Sequence, residues 1–158
     1  MTALALRRMV RGDLDQVVAL ERRIFAADAW SRQMFVQELR NSHRPYLVLV
    51  DGETVIGYGG LWLDPPDAEI SNIAVAPEYR GQGLGRLLME VLLSTAEAAG
   101  CLRIALTVRV SNTVAQTLYT DFGFRIDHRE AGYYQDNGED AYVMVRNSDA
   151  VGGEATDH

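Results

Sequence analysis

Lysine is absent from this 158-residue chain, whose 15 basic residues are all arginine. A Walker A loop needs its lysine, so P-loop nucleotide chemistry is excluded. One cysteine, Cys101, allows no internal disulfide, which suits a reducing environment and sets the expectation of a cytoplasmic protein. The three histidines, His43, His128 and His158, are scattered, so no metal-ligand spacing exists and no metal is expected. There is no G-x-S-x-G elbow for a serine nucleophile. No apolar run approaches the roughly 18 residues that span a bilayer, so no membrane association is expected. The arginines at the start follow a very short apolar stretch, Met1 to Leu6, the reverse of a secretory signal, and none is expected. Positive charge is also in deficit: 15 basic against 22 acidic residues give a net charge of −7, which argues against phosphate-driven binding to nucleic acid. Most of that excess sits in residues 127–158, where eight acids face only Arg129 and Arg146, a net −6.

What is present reads as one globular domain, with 47% hydrophobic and 23% charged residues. Leu4 to Met9 is expected as a strand, broken by Gly12. Asp13 and Gln16 have capping-box spacing ahead of a helix whose apolar stripe is Leu14, Val17, Val18, Ile24 and Phe25, with Glu21 in the same row. Ser31 is expected to cap a second, short helix carrying Met34, Phe35 and Leu39. Tyr46 to Val50 and Thr54 to Leu63 read as a hairpin across Asp51-Gly52, and Ala68 to Val75 as the next strand. A long helix with Leu84, Leu87, Leu88, Val91, Leu92 and Ala96 on one face should stop at Gly100. Leu102 to Val110 is a strand, and Asn112 caps a helix ending at Gly123. Phe124 to Arg129 and Ala141 to Arg146 close the pattern, leaving a tail at 147–158 with little to bury. The order β-α-α-β-β-β-α-β-α-β-β predicts an α/β domain over residues 1–146 with a mixed sheet of six to seven strands and four helices.

The sharpest feature is Arg80-Gly81-Gln82-Gly83-Leu84-Gly85-Arg86 at a strand-to-helix junction. A helix start presents N–H groups with no intrahelical acceptor and a positive dipole end, and glycines let an anion approach that backbone closely. The spacing fits neither the dinucleotide fingerprint nor a Walker A loop.

Together with the preceding Ile73-Ala74-Val75-Ala76-Pro77, this segment resembles the acetyl-CoA signature of the GNAT acetyltransferase superfamily, with Arg80, Gly83 and Gly85 matching R/Q-x-x-G-x-G/A. Val108 to Asn112, Leu118-Tyr119 and Phe122-Gly123-Phe124 are similar to that family's late β-α segment. Tyr133-Tyr134 and Gly138 to Tyr142 resemble the bacterial ribosomal-protein-alanine N-acetyltransferases of the RimI type. The resemblance covers residues 4–146 and implies a single-domain GNAT-like fold using acetyl-CoA as co-substrate. It implies that main-chain groups of Ile73, Ala74 and Val75 pair with the pantetheine arm, and that the backbone from Gly81 through Gln82, Gly83, Leu84 and Gly85 to Arg86 holds the pyrophosphate. It places Asn112 near the thiol end and Tyr119 as the general acid that protonates the departing thiolate.

One position departs from the pattern. Members of that type carry Leu-Glu-Val-Arg on the strand before Asn112, with the glutamate as base; here the segment is Leu106-Thr107-Val108-Arg109. A threonine hydroxyl cannot accept a proton near neutral pH. Glu69, at the start of its strand, is the expected replacement, and Asp28, before Trp30, a weaker alternative. Trp30, Tyr133 and Tyr134 are expected to flank the cleft for the substrate's first residues. The nearby acids Asp127, Glu130, Asp136, Glu139 and Asp140 would favour a basic polypeptide such as a ribosomal protein beginning with Ala. A small-molecule amine acetyltransferase and a non-catalytic acyl-CoA-binding module are the rival readings.

Overall fold

Apolar spacing along the chain switches between every third or fourth residue and every second one, and these switches set the element order in the computed structural model, which describes residues 3–148. The strands are β1 (Leu4–Arg8), β2 (Tyr46–Asp51), β3 (Thr54–Asp64), β4 (Asp67–Val75), β5 (Arg103–Arg109), β6 (Arg125–Glu130) and β7 (Ala141–Asn147). The α-helices are α1 (Leu14–Phe25), α2 (Arg32–Leu39), α3 (Leu84–Ala98) and α4 (Thr113–Asp121). This is the expected order, and the result is an α/β fold with one mixed sheet in the order β1-β2-β3-β4-β5-β7-β6. The described residues form two compact units, residues 3–62 with 70–95 and residues 63–69 with 96–148.

In the first unit β1, β2 and β3 pair antiparallel. The continuous apolar run Tyr46 to Val50 is what a strand covered on both faces requires, and Tyr46, Val48, Leu49 and Val50 are all buried. Gly60 on β3 is fixed by packing, because a Cβ there would lie 2.1 Å from the Tyr46 ring. Leu14, Val17, Val18 and Leu20 of α1 pack with Phe35, Tyr46 and Tyr58 in one apolar cluster.

The capping box expected from Asp13 and Gln16 does not form. Asp13 has helical backbone angles and its carboxylate instead accepts the Val10 N–H (2.8 Å) and a two-pronged contact from Arg7 (2.8 and 2.9 Å). The Gln16 amide instead accepts from Val55 N and donates to Glu53 O. The partners of Gln16 lie more than 35 residues away, beyond the reach of any spacing rule, whereas Asp13 is taken by Arg7 and Val10, six and three residues back. Ser31 caps α2 as expected, accepting from Met34 N at 3.3 Å.

In the second unit the start of β4 pairs parallel with β5, and β5, β7 and β6 pair antiparallel. Along β5, Ile104, Leu106 and Val108 are buried while Ala105, Thr107 and Arg109 are half-buried on the other face. Buried Cys101 donates to Asp67 O. Of the tail expected at 147–158, Asn147 still belongs to β7 and the Ser148 hydroxyl reaches Glu97 at 3.0 Å; residues 149–158 lie outside the described ones. Among the described residues no helix is long and apolar enough to cross a membrane.

Candidate active site

The glycine segment folds as a turn feeding α3. Gly81 and Gly83 have φ of +80° and +81°, the left-handed region that glycine adopts without strain, and a Cβ at either would meet nothing within 4 Å. The first helical bond that follows runs from Leu87 N to Gly83 O at 3.1 Å, so the N–H groups of Leu84, Gly85 and Arg86 precede the helical ladder. An open cradle of main-chain donors at a helix start suits a pyrophosphate. Arg80 turns back and donates through Nε to Val75 O at 3.2 Å, tying this turn to the end of β4. Of the residues expected along the pantetheine arm, Ala74 is buried and Ile73 and Val75 are half-buried.

The same unit holds two carboxylates that the sequence reading did not single out. Glu21 is 1% exposed and accepts from Tyr58 Oη (2.5 Å), Trp30 N (3.0 Å) and Asn72 Nδ2 (3.1 Å). Burial pushes its carboxyl above the usual range, opposed by those donors. Glu38 of α2 accepts from Tyr46 Oη and Trp62 Nε1 and pairs with Arg44. Trp30 stacks on Trp62 at 6.3 Å and lies 5.3 Å from Phe35, so this expected substrate-wall residue is held at its backbone by Glu21 and at its ring by aromatics. The signal for Glu21 was its place in the apolar row of α1.

The second unit carries the expected acid and base. Tyr119 on α4 is buried, 6.2 Å from Phe124 and tilted to it, and its phenol is pushed up to about 12 by burial and by the neighbouring Tyr134. Glu69 is half-buried at the start of β4 and pairs with Ala105, so it shares a face with Thr107 two residues further along β5. Burial alone raises its carboxyl. Asn112 caps α4, accepting from Ala115 N at 3.1 Å through Oδ1, the structural part of the role expected of it. Tyr133 and Tyr134 meet edge to face at 5.0 Å, with Tyr133 exposed.

The acids beside those tyrosines are partly paired, and a net negative charge remains. Arg109 pairs with Asp136 and Glu139, Arg129 with Asp140, and His128 hydrogen-bonds both Asp127 (2.7 Å) and Glu130 (3.1 Å). Asp127 first and then Glu130 raise the His128 pKa, so its charge offsets theirs further as pH falls. Among the described residues no group of three or more His, Cys, Asp or Glu is placed to hold a metal ion.

The acetyltransferase (GNAT) family pattern matches residues 14–124, and the chain belongs to that family. It is an N-acetyltransferase. It is 40% identical over 144 residues (90% of this chain, 95% of the relative) to a Bacillus subtilis protein named as a candidate ribosomal protein bS18-alanine N-acetyltransferase. It is 35% identical over 145 residues (89% and 90%) to the Mycobacterium tuberculosis N-alpha-acetyltransferase RimI. The crystal structure of the Escherichia coli ribosomal-protein-S18-alanine N-acetyltransferase superposes with a TM-score of 0.83 at 29% identity, covering 92% of this chain and 94% of that one.

Proposed function

We propose that this chain transfers the acetyl group of acetyl-CoA to the α-amino group of a ribosomal protein that begins with Ala, in the cytoplasm where such proteins are made. The observation that carries the substrate is similarity over 84–90% of this chain to relatives named for that reaction or for N-alpha-acetylation. The open glycine turn at the start of α3 supports acetyl-CoA as co-substrate, because it offers main-chain donors where a pyrophosphate needs them.

In the proposed reaction the neutral α-amine attacks the thioester carbon, a C–N bond forms and the C–S bond breaks. The Tyr119 phenol donates to the departing sulfur, and the proton lost by nitrogen passes through water to Glu69. Trp30, Tyr133 and Tyr134 flank the incoming peptide, and Asn112 supports the thiol end. A water-mediated carboxylate base is weak, which suits an α-amine of pKa about 8 better than a lysine of about 10.4.

The base assignment predicts a pH effect. A carboxylate works as a base only when ionised, so activity should fall as pH drops through the raised Glu69 pKa. Glu69→Gln should lower kcat and remove that acidic limb, whereas Thr107→Ala should leave both kcat and the limb unchanged. A crippled Thr107→Ala beside a normal Glu69→Gln would move the base to a threonine-bound water. The substrate is tested with three acceptors: a short Ala-initiated peptide with basic residues following, the same peptide with a blocked N-terminus and a free Lys, and spermidine. Turnover of the first only is expected; equal or better turnover of either other acceptor would reject the assignment.

A further inference from the structure

We propose that Arg109 is a positioning residue that holds the 131–140 loop, and with it Tyr134, in the conformation that accepts the peptide. This inference rests on the proposed role of Tyr134 at the substrate's first residues.

A single guanidinium gathers this loop. Arg109 is the last residue of β5, and its Nη1 donates to Glu139 Oε1 at 2.9 Å and to Asn137 Oδ1 at 3.2 Å. Its Nη2 donates to Asp136 Oδ1 at 3.0 Å. The face of the same group lies over the Tyr134 ring, 3.9 Å from its centre. The second oxygen of Glu139 accepts the Ser111 N–H at 2.8 Å, so the loop is tied on both sides of β5's end, one residue before Asn112. Within the loop the backbone bonds from Tyr134 N to Glu139 O (3.1 Å) and from Gly138 N to Tyr134 O (2.8 Å) close a tight turn around this contact.

The chemistry requires arginine. A planar fork satisfies acceptors along its edge while its face covers an aromatic ring; a lysine ammonium is a point donor and cannot do both. The pairs are sheltered, with Arg109 23% and Glu139 15% exposed at their side chains. Ser111 and Arg109 hold the Glu139 carboxyl down to about 2, so the clamp stays charged across the range in which the enzyme would be assayed. With these donors engaged by the loop, the effect of Arg109 on a peptide passes through Tyr134. If the clamp is weakened the loop samples other conformations, and the apparent peptide affinity falls by the fraction still competent.

The test uses the whole chain with acetyl-CoA and the Ala-initiated peptide. Arg109→Lys should raise the peptide KM roughly tenfold, with kcat within about threefold and the acetyl-CoA KM unchanged. Tyr134→Leu should raise the peptide KM similarly, and the double variant no further, because both act on one contact. An unchanged peptide KM in Arg109→Lys, additive effects, or a parallel loss of acetyl-CoA affinity would overturn the proposal. Glu139→Gln keeps an acceptor for Ser111 while removing one of the two charges that Arg109 meets, and serves if Arg109→Lys does not fold. Hydrogen exchange separates this inference from the functional reading. In Arg109→Lys the Tyr134 and Gly138 amides should exchange faster while those of β5 and β7 do not, whether or not the peptide is a substrate. Unchanged exchange at Tyr134 and Gly138 would overturn the clamp even in an active enzyme, whereas a wild-type chain inactive on the peptide but with faster exchange in the variant would reject the substrate and keep the clamp.

Discussion

Tyr119→Phe should lower kcat for peptide acetylation by roughly 10²–10⁴-fold, the range for a positioned general acid, with little change in either KM. The substitution removes one oxygen from a buried ring that packs on Phe124, so the apolar contact remains and the fold should hold. A phenol near 12 is protonated at every working pH, so the acid form is always present. Such a phenol is a weak acid in water. The burial that disfavours phenolate also disfavours a desolvated thiolate, so the leaving sulfur draws the proton more strongly than it would in solvent. Steady-state kinetics with a thiol-detecting reagent would measure the effect. A Tyr119→Phe enzyme within a few-fold of the parent would remove Tyr119 from the mechanism.

Gly83→Asp should abolish acetyl-CoA binding without unfolding the chain. Aspartate tolerates the left-handed region better than most residues, and nothing within 4 Å of a Cβ at this position would be displaced. The added carboxylate would stand where the pyrophosphate is proposed to sit. Two unit charges about 4 Å apart repel by about 4 kcal/mol near a protein surface. That corresponds to roughly a thousandfold in affinity, at about 1.4 kcal/mol per decade. Calorimetry with acetyl-CoA, alongside thermal unfolding, reads both halves of the prediction. Retained affinity would show that the phosphates lie elsewhere.

The element order was legible because each element carries its own period. β5 alternates Ile-Ala-Leu-Thr-Val-Arg with its inner residues buried, and α1 repeats Leu14, Val17 and Val18 along one face. Local chemistry was also legible where partners are close in sequence, as with Ser31 and Asn112 at their helix starts. It failed where partners are distant. Gln16 has capping spacing, but Val55, 39 residues on, takes its side chain; Asp13 is taken instead by Arg7, only six residues back, a competition that capping spacing alone does not rank. Glu21 lay in the apolar row of α1, yet only the fold supplies Tyr58 and Asn72 to satisfy it. The acids near Tyr134 read as a patch that would draw a basic peptide; their partial pairing with Arg109 and Arg129 across the loop, and with His128 along β6, is visible only in the fold. The glycine turn was readable from residues alone as an anion site; Tyr119 and Glu69 gained roles only through resemblance to the family.

Every step proposed for this site depends on the acceptor being a protein N-terminus. Mass spectrometry of protein N-termini from cells with and without this enzyme tests it most directly. A ribosomal protein beginning with Ala should be acetylated when the enzyme is present and carry a free α-amine when it is removed. Identical N-termini in the two cell populations would contradict it.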